Sequence, residues 1–278
     1  MNLVSSDCII LRAQDYSERD KLVSFLTPES GRLKGIVKGS RKLTSRGVGS
    51  FEPFSRGLIH YVPRSPGALV AIRKCDPRPP YLYLRQDYHC FLYAGYLAEL
   101  VDLCAIENRE AAPYFTLLAE TLDALCEAGP ARRLPLLRLR FELRHLELLG
   151  YAPDWRTCRQ CGSALLREGT EPVGASGGKH GAVDPVFDGT HGFEVRLGGV
   201  LCPPCDSAGQ AALKISPGAL VFLENWRGGG QATIRPTRAI LQELEDAVTA
   251  HLIHHLERRP RSLALLPTLD ELEEAPPP

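Results

Sequence analysis

Over the first eighty residues, apolar positions come in short runs separated by turn-forming residues. Leu3-Val4 with Cys8-Ile9-Ile10-Leu11 is the first run, Leu22-Val23-Ser24-Phe25-Leu26 the second and Arg32-Leu33-Lys34-Gly35-Ile36-Val37 the third. Leu58-Ile59-His60-Tyr61-Val62 and Ala68-Leu69-Val70-Ala71-Ile72 come next. Thr27-Pro28-Glu29-Ser30-Gly31 and Pro63-Arg64-Ser65-Pro66-Gly67 mark turns between them. In such stretches proline presets one backbone angle and glycine accepts positive φ. Five β-rich runs predict a small barrel or sandwich. Pro77, Pro79 and Pro80 end it, because proline cannot donate to a sheet ladder.

The period then changes. Tyr88, Leu92, Tyr96 and Leu100 recur every fourth residue, which predicts a helix. Pro113 opens a second helix carrying Phe115, Leu118, Leu122 and Leu125, and Gly129-Pro130 stops it. A third is expected from about Leu134 to Leu149, with Gly150 and Pro153 after it. Its apolar positions run almost all round, so it belongs at the centre of a helical core. Residues 154–205 are rich in glycine. Ser216-Pro217 starts another helix, and a last one is expected from Pro236-Thr237 to about Glu257. The parts are therefore 1–80, 81–153, 154–215, 216–260 with helices packing on the helical domain, and 261–278. That last segment is acidic, with Asp270, Glu271, Glu273 and Glu274, and ends in three prolines. Its composition predicts a disordered tail.

Composition places the chain among globular proteins, since 44% hydrophobic and 24% charged residues are ordinary values for a packed core. No run of 18 apolar residues predicts a membrane span, and Met1 to Ser6 resembles no signal peptide. A cytoplasmic protein is expected. The formal net charge is zero, but its distribution is not even. Residues 1–80 hold 14 basic against 7 acidic side chains, while residues 81–150 hold 7 against 10 and residues 151–278 hold 12 against 16. A basic first module on an acidic chain points to an anionic partner.

Nine cysteines in a cytoplasmic chain argue against a disulfide framework. Four fall in two pairs, Cys158-Arg159-Gln160-Cys161 and Cys202-Pro203-Pro204-Cys205. Two residues between thiolates let one turn aim both sulfurs at an ion, and two such turns complete a tetrahedron suited to Zn²⁺. All four positions are filled, so the expected ion is structural, not catalytic. His180 and His191 lie between the pairs; either could replace a cysteine as a ligand, but they are read as loop residues. Cys8, Cys75, Cys90, Cys104 and Cys126 stand singly in apolar surroundings and are read as core.

A second candidate feature is the basic run Arg32, Lys34, Lys38, Arg41, Lys42 and Arg46, interleaved with Gly31, Gly35, Gly39, Gly47 and Gly49. Strand alternation puts Arg32, Lys34 and Lys38 on one face, and residues 38–49 read as a cationic loop. Such a groove tracks a phosphate backbone without reading sequence. Phe51, Phe54 and Tyr61 are stacking candidates, with a core role equally open. Arg132, Arg133, Arg138, Arg140 and Arg144 are either a solvated helix face, paired with Glu142 and Glu147, or a cradle for an acidic peptide. No enzyme motif is complete. Gly177-Gly178-Lys179-His180 lacks the first glycine and the final hydroxyl of a phosphate loop, and His251-Leu252-Ile253-His254-His255 has leucine where a zinc protease needs glutamate.

Residues 17–32, from Ser17-Glu18-Arg19-Asp20-Lys21 to Gly31-Arg32, and Val37-Lys38-Gly39-Ser40-Arg41-Lys42 resemble the start of the bacterial DNA repair family RecO. Tyr151-Ala152-Pro153, the cysteine pairs and Gly198-Gly199-Val200-Leu201 match its order, over roughly residues 1–255. The resemblance implies an α+β multi-domain protein, with an N-terminal OB-fold barrel, a central helical bundle and a zinc-binding module followed by C-terminal helices. It implies binding of single- and double-stranded DNA and annealing of complementary strands. It also implies that the protein works with RecR to load RecA onto DNA coated by the single-strand-binding protein SSB. Nucleoid association would follow. Arg32, Lys34, Lys38, Arg41, Lys42 and Arg46 are the DNA contacts so implied, and Arg132, Arg133 and Arg140 the candidates for the acidic SSB tail. The segment 169–192 looks longer than the family pattern. Two other classes remain open: a protein-interaction adaptor with a structural zinc and no DNA contact, and a zinc-dependent nuclease or hydrolase. Four cysteine ligands argue against the latter.

Overall fold

A computed structural model describes residues 3–39, 51–65, 67–78, 82–105, 109–127, 133–168, 183–207, 209, 211–227 and 236–274, without the side chains of residues 82, 83, 273 and 274. The chain divides into two compact units, Met1–Phe141 with Arg259–Pro278, and Glu142–Arg258. This grouping cuts the chain differently from the five composition-based parts. The first helices join the barrel's unit, and the cysteine region joins the later helices.

In the first unit, β1 (Val4–Asp15), β2 (Lys21–Thr27), β3 (Gly31–Val37), β4 (Arg56–Val62) and β5 (Val70–Pro77) close a barrel in the order β1-β2-β3-β5-β4. The pair β3–β5 is parallel and the others antiparallel. This is the strand order of an OB-fold. Closure depends on β1, which is long enough to pair twice. Its first half meets β4 and its second half meets β2, with a register shift between Ile10 and Arg12. Such a shift bends the strand around the barrel. Alternate residues point inward, so Cys8, Ile10, Val23, Phe25, Leu33, Val37, Ile59, Tyr61, Val70 and Ile72 fill the core. Gly35 sits where β3 meets β5, and a Cβ there would come within 2.8 Å of Val70 and Ile72 side chains. The strand pair can close at that point only around glycine.

Beside the barrel stand α1 (Leu82–Gln86), α2 (Tyr88–Cys104) and α3 (Ala112–Glu127). The Asp87 side chain caps α2 by accepting from the Cys90 amide at 2.7 Å. Tyr93, Tyr96, Leu97, Leu100 and Val101 are buried along α2. The expected disordered tail is not what the structure holds up to residue 274. A 3-10 turn at Ser262–Leu265 sits on Glu99 of α2, whose carboxylate accepts from the Arg261 and Ser262 amides. A short helix (Leu269–Glu274) then buries Leu269 and Leu272.

Helix α4 (Leu134–Leu149) has the bounds its sequence predicts. The second unit continues with the short strands β6 (Leu166–Glu168), β7 (Val183–Pro185), β8 (His191–Glu194), β9 (Gly199–Leu201) and β10 (Leu213–Ile215). Strands β10-β8-β9 form one sheet and β6-β7 another. Helices α5 (Pro217–Arg227) and α6 (Arg238–Leu256) pack on β7 and β10. Thr237 caps α6 by accepting from the Ile240 amide. No helix among the described residues is long and apolar enough to cross a membrane.

Burial in this unit has a consequence for pH. His145 on α4 is wholly buried, and desolvation holds its imidazole down to about 4. The fold therefore favours the neutral ring, while the unfolded chain binds the proton near pH 6.5. The stability tied to His145 is present above that pH and is lost as pH falls toward 4. Between pH 7 and pH 5 a loss of about 2 kcal/mol is expected. Urea denaturation of the wild type and of His145→Gln at both pH values checks this. An equal drop in the two proteins would assign the acid sensitivity elsewhere.

Candidate nucleic-acid interface and metal centre

The four paired cysteines come together, with their sulfurs all within 4.8 Å of one another. The first knuckle is the turn after Trp155. The Cys158 amide donates to the Ser163 carbonyl at 2.8 Å and the Gly162 amide to the Cys158 carbonyl at 2.9 Å. The second knuckle comes after β9, where the Cys205 and Asp206 amides both donate to the Cys202 carbonyl. Two links bring the knuckles together. The Arg159 amide donates to the Val200 carbonyl at 2.9 Å, and the Cys202 amide donates to the Cys158 sulfur at 3.3 Å. The Cys161 and Cys202 sulfurs lie 3.7 Å apart. Metal–sulfur bonds of about 2.3 Å in a tetrahedron put sulfurs roughly 3.8 Å apart, so the donor set fits one ion.

The electrostatics point the same way. Four sulfurs this close cannot all carry charge unaided. The Ser163 side chain and backbone hold Cys161 down to about 6, whereas Cys202 and Cys161 push Cys205 up to about 12. A central cation is what lets all four ionise together. Among the described residues this is the one such cluster. His191 does not join it; it is buried on β8. His180 lies outside the described residues.

On the barrel the expected cations separate into two kinds. Arg32 and Lys34 share the outward face of β3, whose burial alternates along the strand, while Lys38 stands in the turn just after its end. Arg32, however, is tied down. Its guanidinium donates to the Asp102 carbonyl at the end of α2 and lies 3.9 Å from the Asp102 carboxylate, which also accepts from Ser24 at 2.6 Å. Arg32 thus joins β3 to a helix C-terminus, where a cation is favoured. Lys34 and Lys38 are exposed, and no carboxylate of the described residues pairs with them. Arg41, Lys42 and Arg46 lie outside the described residues.

Two further cations stand near Lys34 and Lys38 and do not belong to the basic run. Lys34 and Arg64 line a cleft of about 130 Å3 between β3 and the β4–β5 loop, together with Tyr61 and Ser30, whose hydroxyls are 3.3 Å apart. Arg73 is the unpaired residue where the β4–β5 register shifts, next to Ile72, the partner of Val37. Loops in these positions are where OB-folds meet their ligands, and that is the signal that picks out Arg64. The aromatic candidates are all buried. Phe51 and Tyr61 are in the barrel core, and Phe54 packs edge-on against Phe91 with ring centroids 5.4 Å apart.

The arginine cluster of α4 splits as well. Arg138 is buried with its guanidinium over the Tyr96 ring at 5.2 Å, and Arg144 pairs with Glu147 at 2.7 Å. Arg133 and Arg140 are exposed, two turns apart; Arg132 lies outside the described residues.

Comparison with known proteins agrees over nearly the whole chain. Residues 1–81 match the family described as Recombination protein O N terminal, and residues 85–264 match Recombination protein O C terminal. The chain is 30% identical over 279 residues to the DNA repair protein RecO of Pelotomaculum thermopropionicum, covering 99% of this chain and 97% of that one. It is 32% identical over 274 residues to the DNA repair protein RecO of Symbiobacterium thermophilum, covering 97% and 98%. With the DNA repair protein RecO of a Roseiflexus species it shares 34% over 268 residues, covering 94% and 84%.

Proposed function

The chain belongs to the RecO family of recombination proteins, and from that premise we propose that it is a DNA-binding mediator of recombinational repair that anneals complementary strands. The observation that carries this reading is the pair of Lys34, on the outward face of β3, and Lys38, in the turn just after it, both exposed without carboxylate partners among the described residues. Annealing brings two polyanions together. A cationic surface lowers their repulsion by displacing counterions, and no covalent step is required. The protein is therefore read as a binding protein, not an enzyme.

Lys34, Lys38 and Arg64, extended by Arg41, Lys42 and Arg46, would contact the backbone of single- or double-stranded DNA. Arg32 holds the strand in place behind them. Cys158, Cys161, Cys202 and Cys205 would hold a zinc ion, which ties the two knuckles of the second unit together and has no open coordination position. As partners we place RecR and the acidic tail of SSB, with RecA loading as the outcome. Arg132, Arg133 and Arg140 are the candidate contacts for that tail.

The test is annealing of complementary oligonucleotides coated with SSB. With the protein present, duplex is expected to form within minutes at concentrations where it does not form alone. Equal rates with and without the protein would overturn the annealing reading. Binding of SSB with no affinity for free DNA would favour an adaptor.

A further inference from the structure

The second unit carries a cationic cleft of about 290 Å3 that adjoins the first cysteine knuckle through Arg159 and is lined also by Tyr151, Arg196, Gly198, His251 and His255 among others. It is built by three local devices. Gly150, at φ +79°, ends α4, and the Tyr151 amide turns back to the Leu146 carbonyl at 2.8 Å, which is a glycine-stopped helix end. His251 and His255, one turn apart on α6, hold Tyr151 in place. His251 Nε2 lies 2.9 Å from the Tyr151 carbonyl, and the His255 ring stacks on Tyr151 at 4.0 Å and 10°. The opposite wall is the turn between β8 and β9. Its Gly198 carbonyl accepts from the Asp154 amide at 3.0 Å, and its Leu197 carbonyl accepts from Arg159 Nε at 2.9 Å.

The charge in this cleft is not balanced. Asp154 lies 3.8 Å from Arg159 and is already engaged by the Arg156 and Thr157 amides and by the Thr157 hydroxyl. Arg196 is exposed; its backbone amide donates to Glu194 Oε1 at 3.1 Å, and its guanidinium makes no ion pair among the described residues. Burial holds His251 and His255 below the usual imidazole range, so near neutral pH they supply ring surface and not charge. Tyr151 is 45% exposed although one face of its ring is covered. A half-exposed aromatic ring and a guanidinium without an ion pair lining one cleft are the combination that takes a base and its phosphate. An acidic peptide would use the arginine and leave the ring idle.

We propose that this cleft seats one nucleotide of single-stranded DNA, with the phosphate at Arg196 and the base on the open face of Tyr151. The inference rests on the DNA-binding reading given above and adds a contact outside the barrel. One ring platform and one guanidinium make it a contact of low sequence preference.

The test uses the full-length protein with fluorescein-labelled oligo-dT and, as a competing probe, a hexa-aspartate peptide. Tyr151→Leu and Arg196→Ala are each expected to weaken oligo-dT binding about fivefold to tenfold. Tyr151→Phe should bind like the wild type. Melting temperature and bound metal should not change in any of the three. Equal oligo-dT affinity in Tyr151→Leu, Arg196→Ala and wild type overturns the proposal while leaving DNA binding by the barrel intact. Binding of the peptide that is lost in Arg196→Ala, with oligo-dT unaffected, overturns it in favour of an acidic partner. A wild-type protein without affinity for oligo-dT would remove both this proposal and the reading on which it rests.

Discussion

Cys202→Ser is expected to strip the metal from the second unit and to collapse that unit's share of the thermal transition. Cys202 is the best of the four positions for this test. It is buried, its carbonyl accepts both amides of its own knuckle, and its amide donates to the Cys158 sulfur across the gap. A serine there keeps the backbone bonds and removes only a thiolate donor. The effect is large because little else ties the knuckles. The strands around them are three or four residues long, too short to be stable alone. Binding of a structural zinc is worth on the order of 10 kcal/mol of folding free energy, comparable with the whole stability of a typical domain at about 5–15 kcal/mol. Elemental analysis of the wild type should find about one zinc per chain, and the variant far less. A chelator should reproduce the variant's melting curve in the wild type, and added zinc should restore it there. Cys126→Ser, in a helix of the other unit, should keep its zinc. A Cys202→Ser protein with unchanged metal content and melting curve would show that the four thiols are not a metal centre.

Sequence patterns carried much of this architecture for identifiable reasons. The barrel strands were visible because a strand closed on one side must alternate and its turns need glycine or proline. The cysteine spacing was visible because a knuckle has only one economical geometry. What alternation cannot supply is long-range pairing. Nothing near Arg32 announces that Asp102, seventy residues away, accepts from its guanidinium, so the strand pattern alone cannot tell a cation with a partner in the fold from one without. For the same reason Phe51, Phe54 and Tyr61 were ambiguous: period two gives two faces, and only closure tells which is inside. The C-terminal segment is a different case. Its acidity speaks for disorder, yet Thr268 and Glu271 form a reciprocal cap in which each side chain accepts from the other's amide, at 2.7 and 3.3 Å. That Thr-x-x-Glu pattern starts a helix, and Leu269 and Leu272 share the face it buries. Local capping outweighs average composition there.

Replacing Lys34, Lys38 and Arg64 together with alanine is expected to weaken single-stranded DNA binding about 100-fold at 0.1 M salt. The magnitude comes from counterion release. Each phosphate contact adds about 0.7 to the slope of log K against log salt on single strands. Three lost contacts should flatten that slope by about 2. Extrapolated from a 1 M reference, this is the stated loss at 0.1 M. None of the three side chains has an ion pair among the described residues, so the folded state should be nearly unchanged. Arg32→Ala provides the contrast. Its guanidinium already donates to the Asp102 carbonyl, so the salt slope should stay put. Stability should instead fall by about 1.5–3 kcal/mol, the usual worth of a hydrogen bond to a charged group. Fluorescence titrations with oligo-dT at several salt concentrations, alongside urea denaturation, separate the two. If the triple variant keeps wild-type affinity and slope, the barrel face is not where DNA sits. If Arg32→Ala flattens the slope with stability intact, the clamp opens to admit a phosphate, and Arg32 returns to the contact surface.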